Sequence, residues 1–116
     1  MQPSTIYKRW DVVIVPFPFT ERAGVKRRPA LVLSTKAFNE NGHVVLAMIT
    51  TKTHSRWPGD TSLEGLADAG LSVPCIVRLK IFTLDGRLIL RRSGACTQKD
   101  RTNVLKALRR YVFSTV

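Results

Sequence analysis

Arg28 precedes Pro29, and the pair opens the apolar run P-A-L-V-L-S that ends at Ser34. Proline fixes its own φ and restricts the residue before it to extended backbone. The Arg28 guanidinium is therefore expected at a strand entrance, as a rigidly placed fork of donors suited to a phosphate. Lys26 and Arg27 complete a cationic triplet, which water and physiological salt tolerate cheaply when a loop tip splays the charges apart. Thr50 and Thr51 end a second apolar run that starts at Val44. If the two runs pair around Asn41-Gly42, the start of one meets the end of the other at one sheet edge, and Arg28 and Thr50 become neighbours. A basic triplet alone is often a solvated loop, and threonine alone is simply favoured in strands. Together, a fixed hydroxyl beside a fixed guanidinium can cradle a phosphodiester.

Other residues extend or limit that chemistry. Two histidines, His43 and His54, suggest an acid/base pair. His43 falls in the turn at the far end of the hairpin from Arg28, whereas His54 follows Thr50 in a long loop and can reach the same edge. Trp57, among Lys52, His54 and Arg56, offers a base a stacking surface, and packing on the barrel wall is the competing role. The carboxylates Asp60, Glu64, Asp68, Asp85 and Asp100 are scattered, with no spacing that gathers a metal pair, so a two-metal nuclease is disfavoured. Cys75 and Cys96 have neither a CxxC spacing nor a histidine cluster and read as structural thiols. Neither a nucleotide-binding glycine motif nor a serine-hydrolase motif occurs, and no cofactor is expected.

The elements that must position these groups follow from periodicity. Val12 to Phe17 reads as a strand that P-F-P-F terminates, and Thr20 to Arg28 as a loop. Pro29 to Ser34 and Val44 to Thr51 read as an antiparallel pair joined at Asn39 to His43. Lys52 to Gly70 reads as a long loop with a short strand near Thr61 to Leu63, and loops of that length in small domains are usually functional. Cys75, Val77, Leu79 and Ile81 alternate with Ile76, Arg78, Lys80 and Phe82, a half-buried strand with a cationic second face. Asp85-Gly86 reads as a hairpin turn, with Arg87 to Arg92 as the return strand. Thr97 is placed to cap a helix, and Val104, Leu105, Leu108, Tyr111 and Val112 form its apolar stripe. The expected architecture is mainly β with a C-terminal helix, a small curved antiparallel SH3-like barrel.

Composition sets the outer limits. With 116 residues the chain is expected to be a single domain, 1–116. Nineteen Lys+Arg against eight Asp+Glu give a net charge of +11, so a polyanionic partner is expected, nucleic acid first. No apolar run approaches the ~20 residues of a membrane span, so no membrane is expected. Without a signal-peptide pattern, a cytoplasmic location is expected.

In order, D-V-V-I-V-P-F-P-F-T, K-R-R-P-A-L-V-L-S, V-V-L-A-M-I-T-T and C-I-V-R-L-K-I-F-T-L-D resemble the MazF/PemK family of toxin endoribonucleases. The likeness runs from about Trp10 to the C-terminal helix, and the R-P pair and the I-T at a strand end are its most specific parts. The resemblance implies a CcdB-like or SH3-like barrel, a homodimer, that cuts single-stranded RNA without metal. It also implies a cognate antitoxin whose acidic tail lies in the RNA groove. Carried over by motif, Arg28 and Thr50 are the catalytic pair, with Lys26 and Thr51 as companions; with Arg27 of the triplet and His54 and Trp57 of the long loop, these companions are expected to bind RNA. The implied reaction is attack of a 2′-hydroxyl on the adjacent phosphate, leaving a 2′,3′-cyclic phosphate, with no general base assigned. One departure is Trp10-Asp11, where the family commonly has Gly-Asp. Two other classes stay open: a toxin of the same fold that poisons a protein such as a topoisomerase, and a non-catalytic RNA-binding barrel.

Overall fold

Val12, Val13, Ile14 and Val15 are all β-branched, and their stiffness at χ1 favours the pleated backbone of the first strand, β1 (Asp11–Pro16). A computed structural model describes residues 5–16, 26–52 and 56–114. After β1 come β2 (Arg27–Val32), α1 (Lys36–Asn39), β3 (His43–Thr51), β4 (Thr61–Ser62), α2 (Leu66–Ala69), β5 (Cys75–Asp85), a 3₁₀ turn (Gly86–Leu88), β6 (Arg91–Ala95) and α3 (Gln98–Tyr111). The strands form one six-stranded sheet in the order β4-β5-β3-β2-β1-β6, antiparallel at every pairing. The result is the expected class, a mainly β half-barrel with a C-terminal helix.

The sheet is buried on both faces. One carries Val13, Val15, Ala30, Leu46, Met48 and Phe82, with Tyr7 packed against them. The other carries Val12, Leu31, Ala47, Ile49 and Val77 under Val104 and Leu108 of α3 and Ala69 of α2. A strand covered on both sides needs no polar alternation, which is why β1 to β3 read as continuous apolar runs. Gly94 lets α2 lie against β6, since a Cβ there would collide with the Asp68 carbonyl and the Ala69 backbone.

Helix α3 starts where the sequence places it: the Thr97 hydroxyl accepts from the Asp100 backbone N–H at 3.3 Å. Asp100 is itself fully buried. Its carboxylate accepts from the backbone N–H of Glu64 at 3.0 Å and of Gly65 at 2.9 Å, tying the β4–α2 connection to the helix's first turn. Val104 and Leu108 of the expected stripe are buried, but Tyr111 and Val112 are exposed. Cys75 and Cys96 are free and buried, and burial, with the Asp100 charge adding to it, pushes the Cys96 thiol up to about 12.

Trp10 has φ 77°, the left-handed region that glycine favours, at the position where the sequence departs from Gly-Asp. That backbone costs a side chain roughly 1–2 kcal/mol. Packing of the ring against the second core offsets it, and the Arg9 guanidinium lies 6.0 Å from the ring centroid.

The structure corrects several boundaries. Strand two begins at Arg27, not Pro29, because Arg27 and Arg28 pair with Pro16 and Val15 of β1. Phe17, Pro18 and the loop residues up to 25 lie outside the described residues. The β2–β3 connection is more than the turn expected at Asn39 to His43: the Thr35 hydroxyl caps α1, which precedes and enters that turn, although the strands pair as expected. Helix α2 forms where a continuous loop was expected, and the short strand near Thr61 is present. The second face of β5 is not a plain solvated face, since Ile76 and Phe82 are buried. The ladder also jumps from Ala47↔Ile81 to Met48↔Arg78, a bulge that sequence periodicity does not announce.

The largest correction concerns Asp85-Gly86, which does not make a hairpin. The Asp85 carboxylate accepts from the Arg87 backbone N–H at 2.9 Å and caps a 3₁₀ turn, and β6 crosses to the opposite edge to pair with β1. Hydrogen bonds from the Arg87 side chain and backbone lower the Asp85 pKa from 3.8 to about 2. A lowered folded-state value means that this contribution to stability is complete above about pH 4 and is lost as pH falls toward 2. Arg87→Ala should raise the carboxyl's titration midpoint back toward 3.8, read by NMR.

Candidate nucleic-acid interface

Strands β2 and β3 pair as Ala30↔Met48, Leu31↔Ala47 and Val32↔Leu46. Carried on by two residues, the same register sets Arg28 opposite Thr50. Pro29 has no N–H to extend the ladder, and neighbouring strands lie about 4.8 Å apart. Alternation puts the Arg28 and Thr50 side chains on the face of Ala30 and Met48, with Arg27 and Thr51 on the other. On its far side Arg28 pairs with Val15. Arg28 and Thr50 are both half-buried, and Arg28 Nε is shut off from solvent; Lys26, Arg27 and Thr51 are exposed. A partly buried guanidinium stem has little freedom, so its position is set before any ligand arrives.

The end of the β2–β3 pair borders a concavity of about 500 Å³. Lys26, Arg27, Arg28, Thr50 and Thr51 line its sheet side, and residues 70–73 close the other. Residues from both sheet faces line it, so it wraps around the strand ends. Its described lining holds three cations and no carboxylate, which concentrates positive potential in a cleft with low-dielectric walls. Cys75 also lines it, but desolvation raises its pKa, so the thiol stays protonated and is a poor nucleophile.

The other candidates divide. His43 is exposed at the start of β3, across from Asp85 and a strand's length from Thr50. It borders a separate cavity of about 750 Å³. His54 lies outside the described residues. Trp57 is 42% exposed, with its ring against the Arg78 guanidinium on the sheet. It begins the turn Trp57-Pro58-Gly59-Asp60, closed by Asp60 N–H donating to the Trp57 carbonyl at 3.0 Å, with Gly59 at φ 83°. Proline then glycine at the centre, the glycine with positive φ, is the signature of a type II turn.

Two residues that the sequence reading left out join Trp57. Arg78 donates to both oxygens of Asp60, through Nε at 3.1 Å and Nη2 at 2.9 Å, and its guanidinium carbon lies 5.4 Å from the Trp57 ring centroid. Asp60 Oδ2 also accepts from the Trp57 N–H at 3.1 Å. The type II turn motif was the available signal for Asp60, and for Arg78 there was only its place on the cationic second face of its strand. Among the described residues no three His, Cys, Asp or Glu side chains come together to hold a metal ion, and no helix is long and apolar enough to cross a membrane.

These features define a class: a small half-barrel with a cleft at the end of its central strands whose described lining is basic. The family model of the PemK-like, MazF-like toxin of type II toxin–antitoxin systems matches residues 8–112, and the chain belongs to that family. Its fold is similar to a MazE–MazF structure from Deinococcus radiodurans, with 24% identity and TM-score 0.75 over 96% of this chain and 100% of that one. An endoribonuclease in complex with its cognate antitoxin from a mycobacterial species is 20% identical, TM-score 0.74, over 95% and 98%. Mycobacterium tuberculosis toxin MazF-mt6 is 20% identical, TM-score 0.69, over 86% and 93%. At these identities the likeness is one of fold. No curated protein matches the chain.

Proposed function

We propose that the protein is a metal-independent, sequence-specific endoribonuclease toxin of the cytoplasm, acting on single-stranded RNA as a single-domain homodimer and silenced by a cognate antitoxin. The observation that carries this reading is the β2–β3 register, which, extended by two residues, sets Arg28 opposite Thr50 at a basic cleft whose described lining holds no carboxylate, in a chain of this family. Solved relatives that include a MazE–MazF structure and an endoribonuclease with its antitoxin support the partner. An acidic antitoxin tail would suit the same cations as RNA.

In the proposed reaction a ribose 2′-oxygen bonds to the adjacent phosphorus, the P–O5′ bond breaks, and the 2′-hydroxyl proton is lost while O5′ gains one. The products are a 2′,3′-cyclic phosphate and a 5′-hydroxyl. Arg28, always charged, stabilises the negative charge that builds on the phosphoryl oxygens. Thr50 orients the phosphate or passes a proton, and the exposed Lys26, Arg27 and Thr51 hold the flanking backbone.

Purified protein incubated with mixed RNA in excess EDTA should yield discrete fragments ending in cyclic phosphate. A gel shift without fragments would instead identify a non-catalytic RNA-binding barrel, and neither result would point to a poisoned protein such as a topoisomerase. Lys26→Ala should weaken RNA binding and reduce the slope of log affinity against log salt by about 0.7, the increment for one single-strand phosphate contact.

A further inference from the structure

Arg78 occupies the same sheet face as Arg28 and Thr50. It pairs with Met48, while Thr50 pairs with Ile76, so the three side chains project from one face of three neighbouring strands. Arg78 is one strand across and two residues along from Thr50, about 8 Å between backbones at ordinary strand spacings. There the turn at Trp57 presents its indole.

Three features show a site held ready. The Trp57 backbone is locked by the type II turn, because its carbonyl accepts from Asp60 N–H and its own N–H donates to Asp60 Oδ2. Asp60 then grips Arg78 with both oxygens, and side-chain exposures of 17% and 14% show that this pair is largely shielded from water. Arg78 in turn lies against the indole at 5.4 Å, a cation–π contact. Gly59 makes the arrangement possible, since a Cβ there would come within 2.5 Å of Leu79 Cδ1 in addition to being strained at φ 83°. The Trp57 ring is thus held by three other residues of the chain, Gly59, Asp60 and Arg78.

We propose that Trp57, backed by Arg78 and positioned by Asp60, is a nucleobase-stacking subsite for the nucleotide next to the scissile phosphate. This rests on the RNA-cleaving reading above and adds to it. Asp60 is turned toward Arg78 and the Trp57 backbone, accepting three hydrogen bonds from them, so what the turn presents to a ligand is the aromatic face. The subsite therefore requires a base but tolerates which base, as stacking platforms do.

The test is fluorescence anisotropy in EDTA with a mixed-sequence 2′-deoxy oligonucleotide, which lacks the attacking hydroxyl, and with a fully abasic strand of equal length. Wild type should bind the base-bearing strand at least about tenfold more tightly than the abasic one. Trp57→Ala should reduce that preference roughly tenfold, Trp57→Phe should retain most of it, and Asp60→Asn should diminish it with the salt slope unchanged. Trp57→Ala with an unaltered preference, in a protein whose near-ultraviolet spectrum otherwise shows a native fold, would overturn the subsite and leave the RNA reading intact. Equal wild-type binding of both strands would do the same. Wild type that binds neither strand and cuts no RNA would remove the RNA reading and the subsite together.

Discussion

Arg28→Ala is expected to lower RNA cleavage by roughly 10²–10³-fold, the scale of removing one preorganised donor to a developing oxyanion. The loss should fall mainly on turnover, because the charge it meets is fuller in the transition state than in the bound substrate. Lys26 and Arg27 remain to hold the backbone, so binding should weaken far less. Arg28→Lys should also fail, since an ammonium keeps the charge but not the planar fork. Single-turnover cleavage of a defined RNA, with circular dichroism to show the fold, separates these outcomes. Full activity in folded Arg28→Ala would end the assignment of this residue.

The second large effect concerns stability. Asp100→Ala is expected to destabilise the fold by about 3 kcal/mol, because it strips a buried acceptor from the backbone N–H groups of Glu64 and Gly65. It also removes a negative charge from the positive end of α3. For a chain of this size the melting temperature should drop by roughly 10 °C, measurable by calorimetry. Asp100→Asn should lose less, since its amide oxygen can still accept one of the two. A change of less than about 0.5 kcal/mol in Asp100→Ala would show that the Glu64–Gly65 backbone finds other partners.

What could be read from residue order was local chemistry. Arg28 before Pro29, an apolar run ending in Thr50, and Thr97 ahead of an apolar stripe each carry their own geometric instruction, and the structure follows it in β2, β3 and α3. Features that depend on distant partners were not legible. The crossing of β6 to β1 is decided by which sheet edge is open, and Asp85-Gly86 looks like a hairpin because nothing nearby says otherwise. Likewise Asp60 and Arg78 are 18 residues apart, and only the β4–β5 pairing brings them together. Asp60 therefore looked like one of several scattered carboxylates. Of the candidate site, the cations and the threonine were visible in advance, and the anchoring of the indole was not.

The two buried cysteines give the molecule two internal clocks, one at the wall of the cleft and one sealed in the core. A thiol that solvent cannot reach is labelled by a reagent only during the moments when its surroundings come apart, so its labelling rate times those moments. Cys75, 6% exposed beside the basic cleft, needs only a small movement of the rim, whereas Cys96 keeps time for the seam between α3 and the sheet. Where the two run at different rates, one part of the toxin breathes ahead of the other; where they agree, it opens as a whole.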